Sequence, residues 1–261
     1  MEMIEPTTLL VLAIVAFIAG FIDAVAGGGG MLTVPTLLSL GLPPHMALGT
    51  NKLAASFASS TAAFTYYKKR LFKPRCWGRA FVATLVGATL GTLFVDAIST
   101  EWLEKVLPLI ILAAAFYTVF HKMPSDANQS PIPQDCPKLH KKQYLQGLSI
   151  GFYDGLAGPG TGAFWTVSSM ALYRLNILLA SGLAKAMNFT SNFTSLVTFA
   201  VLGHINWMLG LTMGLCLMAG AFVGAHSAIR FGAKFIRPVF VTVVSILAIK
   251  LAYNAWFTGL S

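Results

Sequence analysis

Apolar runs separated by short polar breaks set the pattern of this chain, near residues 9–26, 31–41, 46–67, 80–96, 103–121, 143–157, 162–173, 179–202, 207–229 and 239–257. About 20 apolar residues cross a bilayer core as a helix, so most of these runs predict spanning helices. The runs 31–41 and 162–173 are too short to span. Each follows a break of an unusual kind. From Gly20 the chain reads GFIDAVAGGGG and from Gly151 it reads GFYDGLAGPGTG, with six of the first ten positions identical, where average residue usage gives about one match. A glycine cluster inside an apolar run stops one helix and starts another. Each copy therefore predicts a broken helix, and the N–H groups freed at the start of its second piece can bind an anion.

Composition moves the chain out of the soluble class. Hydrophobic residues make up 56% and charged residues 10%, with a mean hydropathy of +0.72, against roughly 25% charged residues in a soluble domain. The opening MEMIEP has no basic region, so the first apolar run reads as a retained helix and not as a cleaved signal. Cys76, Cys136 and Cys216 have no metal-ligand spacing and read as free thiols.

The net charge of +9 is gathered in short loops: Lys68, Lys69, Arg70, Lys73, Arg75 and Arg79 in one, Lys122, Lys138, Lys141 and Lys142 in another, Arg230, Lys234 and Arg237 in a third. That is the positive-inside pattern, which makes these loops cytoplasmic. It argues against nucleic acid, for which a separate basic domain with interleaved aromatics is expected.

Threading the runs through a bilayer with those loops inside gives an all-α polytopic membrane protein of two inverted-topology repeats. Residues 1–121 form the first, 122–142 a cytoplasmic linker, and 143–261 the second, inserted upside down with both termini periplasmic. Each repeat is a broken re-entrant hairpin plus three spanning helices. Two further echoes fit the duplication: GATLG at Gly87–Gly91 and GAFVG at Gly220–Gly224 keep a small-xxx-small packing spacing, and Pro108 and Pro238 open the last helix of each half. Non-helical backbone at membrane depth must be surrounded by protein or a water-filled cavity, so the two glycine tips are expected to meet.

Candidate chemistry follows from the polar residues in these helices. Asp23 and Asp154 each sit one turn before a glycine cluster, at the negative end of a helix dipole, and each needs a cation. Lys52 and Lys185 occupy equivalent places in the two halves. One reading is an inert structural Asp–Lys pair within each half. The other has the lysines facing an anion, with help from backbone N–H groups near Gly29–Leu32 and Gly160–Ala163. Ser181, Lys185, Asn188, Asn192 and Ser195 recur at helical spacing as one polar stripe, and Lys52, Ser56 and Ser59 beside Asn51 form a shorter one. Two stripes headed by lysine favour an aqueous anion path over interhelical bonding.

Other matches carry little. GLSIG at Gly147–Gly151 fits a hydrolase elbow and GPGTGA a dinucleotide fingerprint, but both motifs require a preceding strand. His45, His121, His140, His204 and His226 form no ligand spacing and fall mostly at helix ends. No catalytic group, metal site or cofactor is predicted.

The paired GFIDAVAGGGG and GFYDGLAGPGTG, with TNK at Thr50–Lys52 and LAKAMNFTSN at Leu183–Asn192, resemble the sulfite exporter family called TauE/SafE, also known as the toluene sulfonate uptake permeases. The resemblance covers nearly the whole chain. It implies a multi-pass transporter of the bacterial inner membrane for sulfite or small organosulfur anions such as sulfonates. The substrate-binding residues expected are Gly28, Gly29, Gly30, Asn51, Lys52, Gly160, Thr161, Gly162, Lys185, Asn188 and Asn192, with Asp23 and Asp154 positioning the lysines or carrying a coupling ion. That leaves room for a coupling proton or sodium ion and for a homodimer. The rival readings are an anion channel and a membrane enzyme or assembly factor.

Overall fold

The computed structural model describes residues 6–120 and 137–232, with 235, 236, 238 and 242. Its regular structure is helical: α1 (Pro6–Ala26), α2 (Gly30–Ser39), α3 (Pro44–Lys68), a 3-10 turn (Pro74–Cys76), α4 (Gly78–Asp96), α5 (Thr100–Phe120), α6 (Pro137–Leu156), α7 (Thr161–Tyr173), α8 (Ile177–Val201) and α9 (Trp207–Phe231). Nine apolar runs thus appear as nine α-helices; the tenth, 239–257, lies almost wholly outside the described residues, as do His121 and Cys136. Helix α6 begins at Pro137, ahead of the apolar run at 143, because its first turns are polar and extend past the hydrophobic stretch. Pro108 does not open a helix: it lies inside α5, which starts at Thr100.

Local sequence sets the helix ends. At Gly27 (φ 79°) and Gly160 (φ 81°) the backbone is left-handed, which an L side chain resists, and α1 stops before the first while α7 starts after the second. Pro44 occupies the first turn of α3, where its missing N–H is no loss. The side chains of Asn176 and Asn206 cap α8 and α9 by accepting from the amides of Leu179 (2.8 Å) and Leu209 (3.1 Å). At 10 and 13 residues, α2 and α7 reach only about 15 and 20 Å, short of a hydrocarbon core about 30 Å thick. The 25-residue α3 and α8 reach about 37 Å.

The packing is built on small residues. Helix α4 lies against α6 and α9 against α1. A Cβ on Gly87 or Gly91 would fall 2.4 or 2.1 Å from the Leu148 or Phe152 carbonyl oxygen, and one on Gly220 or Gly224 would fall 2.0 or 2.5 Å from that of Phe17 or Phe21. These glycines let backbones touch, the packing role expected of them. The outward faces carry Leu85, Leu90 and Phe94 on α4 and Leu211, Leu215 and Phe222 on α9, while Asn51, Lys52, Lys185, Asn188 and Asn192 are buried. Apolar outside and polar inside is the arrangement lipid demands.

Helices α3 and α8 pack against each other at the centre. They run antiparallel, since Gly49 near the start of α3 meets the His204 carbonyl beyond the end of α8, and Gly182 near the start of α8 meets the Leu71 carbonyl beyond the end of α3. One end of the bundle thus carries Lys68, Lys69, Arg70, Lys73, Arg75 and Arg174, the other Asp96, whose carboxylate bonds His204 at 2.7 Å.

A candidate anion site between two glycine breaks

The two glycine turns meet in the interior. A Cβ on Gly27 would lie 2.4 Å from the Gly162 carbonyl carbon, and one on Gly30 would lie 3.3 Å from the Pro159 Cα. Each turn ends a helix that carries its aspartate one turn back, and each aspartate meets a lysine. The partners, however, are not those of the same half. Lys52 on α3 reaches Asp154 on α6, Nζ to Oδ1 2.6 Å, and Lys185 on α8 reaches Asp23 on α1, Nζ to Oδ2 3.7 Å. The expectation of a pair within each half is therefore corrected. Because the tips abut, each aspartate is delivered to the opposite long helix.

The two pairs differ in closure. Lys52 donates to the Asp154 carbonyl, to Asp154 Oδ1 and to Asn192 Oδ1 at 3.2 Å, so its three N–H groups all have acceptors. Asp154 Oδ2 accepts from the Ser191 hydroxyl. Lys185 donates to the Asp23 carbonyl, and its distance to the carboxylate is beyond hydrogen-bond reach. Asp23 Oδ1 instead accepts from the Gly29 amide at 3.3 Å, and its side chain is 12% exposed against 2% for Asp154. Both lysines are 1% exposed. A lysine at bilayer depth costs at least about 2.5 kcal/mol on insertion scales, and a counter-charge at each reduces that penalty.

Several of the amides expected to be free are already engaged. Gly29 donates to Asp23; Met31 and Leu32 donate to the carbonyls of Gly28 and Gly29; Thr161 donates to that of Gly158. The turns close on their own carbonyls, which is how a tight break satisfies itself. Among the described residues the amides of Gly30, Gly162 and Ala163 form no hydrogen bond. Gly162 lies beside Asn188, whose Nδ2 would be 3.2 Å from a Cβ there.

The remaining candidates fall around this centre. Asn51 points to α2, where Oδ1 accepts from the Thr33 hydroxyl at 2.5 Å. Thr161 bonds the Gly158 carbonyl at 2.6 Å and so locks its own turn. Gly28 has open space, with nothing nearer to a Cβ than Ile22 at 3.8 Å. Gly158, which sequence reading passed over, has Lys52 Nζ 2.9 Å from where a Cβ would stand. Thr33 and Ser191 were also missed; each lies three or four residues from a residue already singled out, Gly29 and Asn188, and helical spacing alone could have found them.

No group of three or more metal-ligating side chains occurs among the described residues. Cys76 and Cys216 are free.

Comparison with known proteins gives this centre its context. The family model for the sulfite exporter TauE/SafE matches residues 12–251. The chain belongs to the TauE/SafE family. A Haemophilus influenzae relative, described as "Probable membrane transporter protein", is 37% identical over 95% of this chain and 96% of its own length. The relative YfcA of Escherichia coli K12 carries the same description and is 32% identical over 97% of this chain and 93% of its own length. YunE of Bacillus subtilis, described likewise as a probable membrane transporter protein, is 25% identical over 97% of this chain and 99% of its own length. No solved structure matches. With its apolar exterior, this TauE/SafE member is a membrane protein.

Proposed function

We propose that the chain is a secondary transporter that moves sulfite or a small organosulfur or organic anion across the bacterial inner membrane by alternating access, and not an enzyme. The observation that carries this reading is the pair of crossed ion pairs at two abutting glycine breaks. Each half of the molecule supplies the counter-charge of the other, so a rocking motion between halves would alter both pairs at once. The reading takes 1–121 and 143–261 as inverted halves. It is supported by the matched glycine contacts of α4 on α6 and α9 on α1, and by equivalent positions for Lys52 and Lys185. The collection of basic residues at one end supports that end, and the 122–142 linker, as cytoplasmic.

The geometry suggests where the anion rests. Lys185 has donors to spare, the amides of Gly30, Gly162 and Ala163 are unengaged, and Asn188 stands beside Gly162. An anion entering there takes over the charge balance that Asp23 supplies to Lys185, and Asp23 is then free to take up a proton or a sodium ion. That exchange couples the anion to a cation without leaving a buried charge alone. Lys52, Asn192 and Asp154 hold the opposite tip in place, with Asn51 fixing α2.

The test is counterflow of sulfite and of a simple sulfonate in proteoliposomes. Lys185→Ala, and Lys52→Ala combined with Asp154→Asn to keep the buried charge balanced, are expected to abolish flux while the thermal midpoint shows a folded protein. Full flux in both variants overturns the role of the lysines. Uptake that never concentrates substrate against its gradient overturns coupled transport in favour of a channel.

A further inference from the structure

A second site lies on the outer surface, away from the buried ion pairs. Between α3, α4 and the middle of α8 runs an apolar groove of about 640 Å³ whose lining includes Ser60, Ala63, Phe64, Phe81, Ala186 and Phe189. At Tyr67, Phe72 and Pro74 it passes into a second hollow of about 760 Å³ edged by Lys68, Arg70, Lys73 and Arg75. A channel that is greasy along its length and cationic at its mouth matches one class of molecule, an amphiphile with an acyl tail and an anionic head.

The mouth is also held in shape. Helix α3 ends with the Leu71 amide on the Tyr66 carbonyl (3.1 Å) and the Arg70 amide on the Tyr67 carbonyl (2.9 Å), the paired bonds of a Schellman cap. The left-handed position in that cap normally belongs to glycine, yet here it is Arg70 at φ 58°. Backbone strain kept for a charged side chain is reason to look for what the charge contacts. Lys68 Nζ sits 4.6 Å over the Phe64 ring, which places its charge at the boundary between groove and mouth.

We propose that this groove binds an anionic phospholipid of the surrounding bilayer, acyl chain between Ala63 and Phe189 and headgroup phosphate against Arg70, Lys73 and Arg75. Basic hollows between helices at the membrane face are the usual form of such sites. The proposal does not depend on what the buried centre carries.

The test uses the full chain purified in nonionic detergent, with mixed micelles of dioleoylphosphatidylglycerol or dioleoylphosphatidylcholine, read by thermal midpoint and by native mass spectrometry. The anionic lipid is expected to raise the midpoint more and to survive as a bound adduct. Arg70→Gly relieves the backbone and so folds at least as well; with Arg75→Gln it should weaken apparent phosphatidylglycerol affinity by about fivefold per charge. Ala63→Phe fills the groove, keeps every charge, and should remove the saturable adduct. Equal response to both lipids, undiminished affinity in the charge variant, or a shift reproduced by inorganic phosphate alone would each overturn the proposal.

Discussion

The two lysine centres occupy equivalent places in the sequence and stand in opposite surroundings. Lys52 lies eight residues into α3 from the acidic end of the bundle, and the space between it and that end is filled by Val34, Leu48, Phe199 and Ile205, a closed apolar cluster. Lys185 lies eight residues into α8 from the basic end. Toward that end stand the buried Trp165 and Tyr173 of α7, with Nε1 and the hydroxyl unpaired. Among the described residues, Ser195 carries an unpaired hydroxyl away from that end. An apolar plug needs no ligand, whereas unpaired donors are costly until something accepts from them. Of the two lysines, Lys52 is thus the more fully braced and Lys185 the better candidate for a solute.

The largest effect separates brace from receptor. Lys52→Ala leaves Asp154 buried without a cation and should cost about 3–5 kcal/mol of stability, seen as a large fall in thermal midpoint and restored in good part by adding Asp154→Asn. Lys185→Ala should cost clearly less, since Asp23 keeps the Gly29 amide and a partly exposed side chain. Equal losses in the two variants would erase the distinction.

Next in size is the contact between the tips. Gly27→Ala adds a methyl 2.4 Å from the Gly162 backbone at a left-handed residue, whereas at Gly28 the nearest atom is 3.8 Å away. Gly27→Ala should unfold or strongly destabilise the protein by thermal denaturation, and Gly28→Ala should fold normally. A stable Gly27→Ala protein would mean that the two breaks are not in tight contact.

Much of this was legible in the chain. The nine described helices follow the apolar runs, and the two breaks fall at the repeated glycines, because a lipid-facing helix and a glycine turn each leave a mark at single positions. The crossing of the ion pairs was not read, because treating each repeat as a module pairs Asp23 with Lys52. The expectation that the tips meet already contained the correction, since a tip reaching the midplane presents its aspartate to the other half. The engaged amides were missed for a different reason: whether a turn closes on its own carbonyls depends on backbone angles that composition does not encode. Pro108 misled because proline favours a first turn, while α5 begins two turns earlier and tolerates it inside.

The smallest effect tests the receptor end alone. Trp165 lies one turn into α7, 0% exposed, with an Nε1 that can only donate and has no acceptor. Trp165→Phe removes that donor and keeps an aromatic ring, so lost packing and relief of an unsatisfied group should nearly cancel, leaving stability within about 1 kcal/mol of the parent. If the donor serves a solute on its way to Lys185, KM for anion flux in proteoliposomes should rise by about fivefold, the equivalent of about 1 kcal/mol for one hydrogen bond, with the maximal rate little changed. The matching change at the other end, Val34→Ala, removes only apolar bulk and should leave KM alone. Should KM shift equally in both, the difference between the two ends would be one of packing and not of recognition.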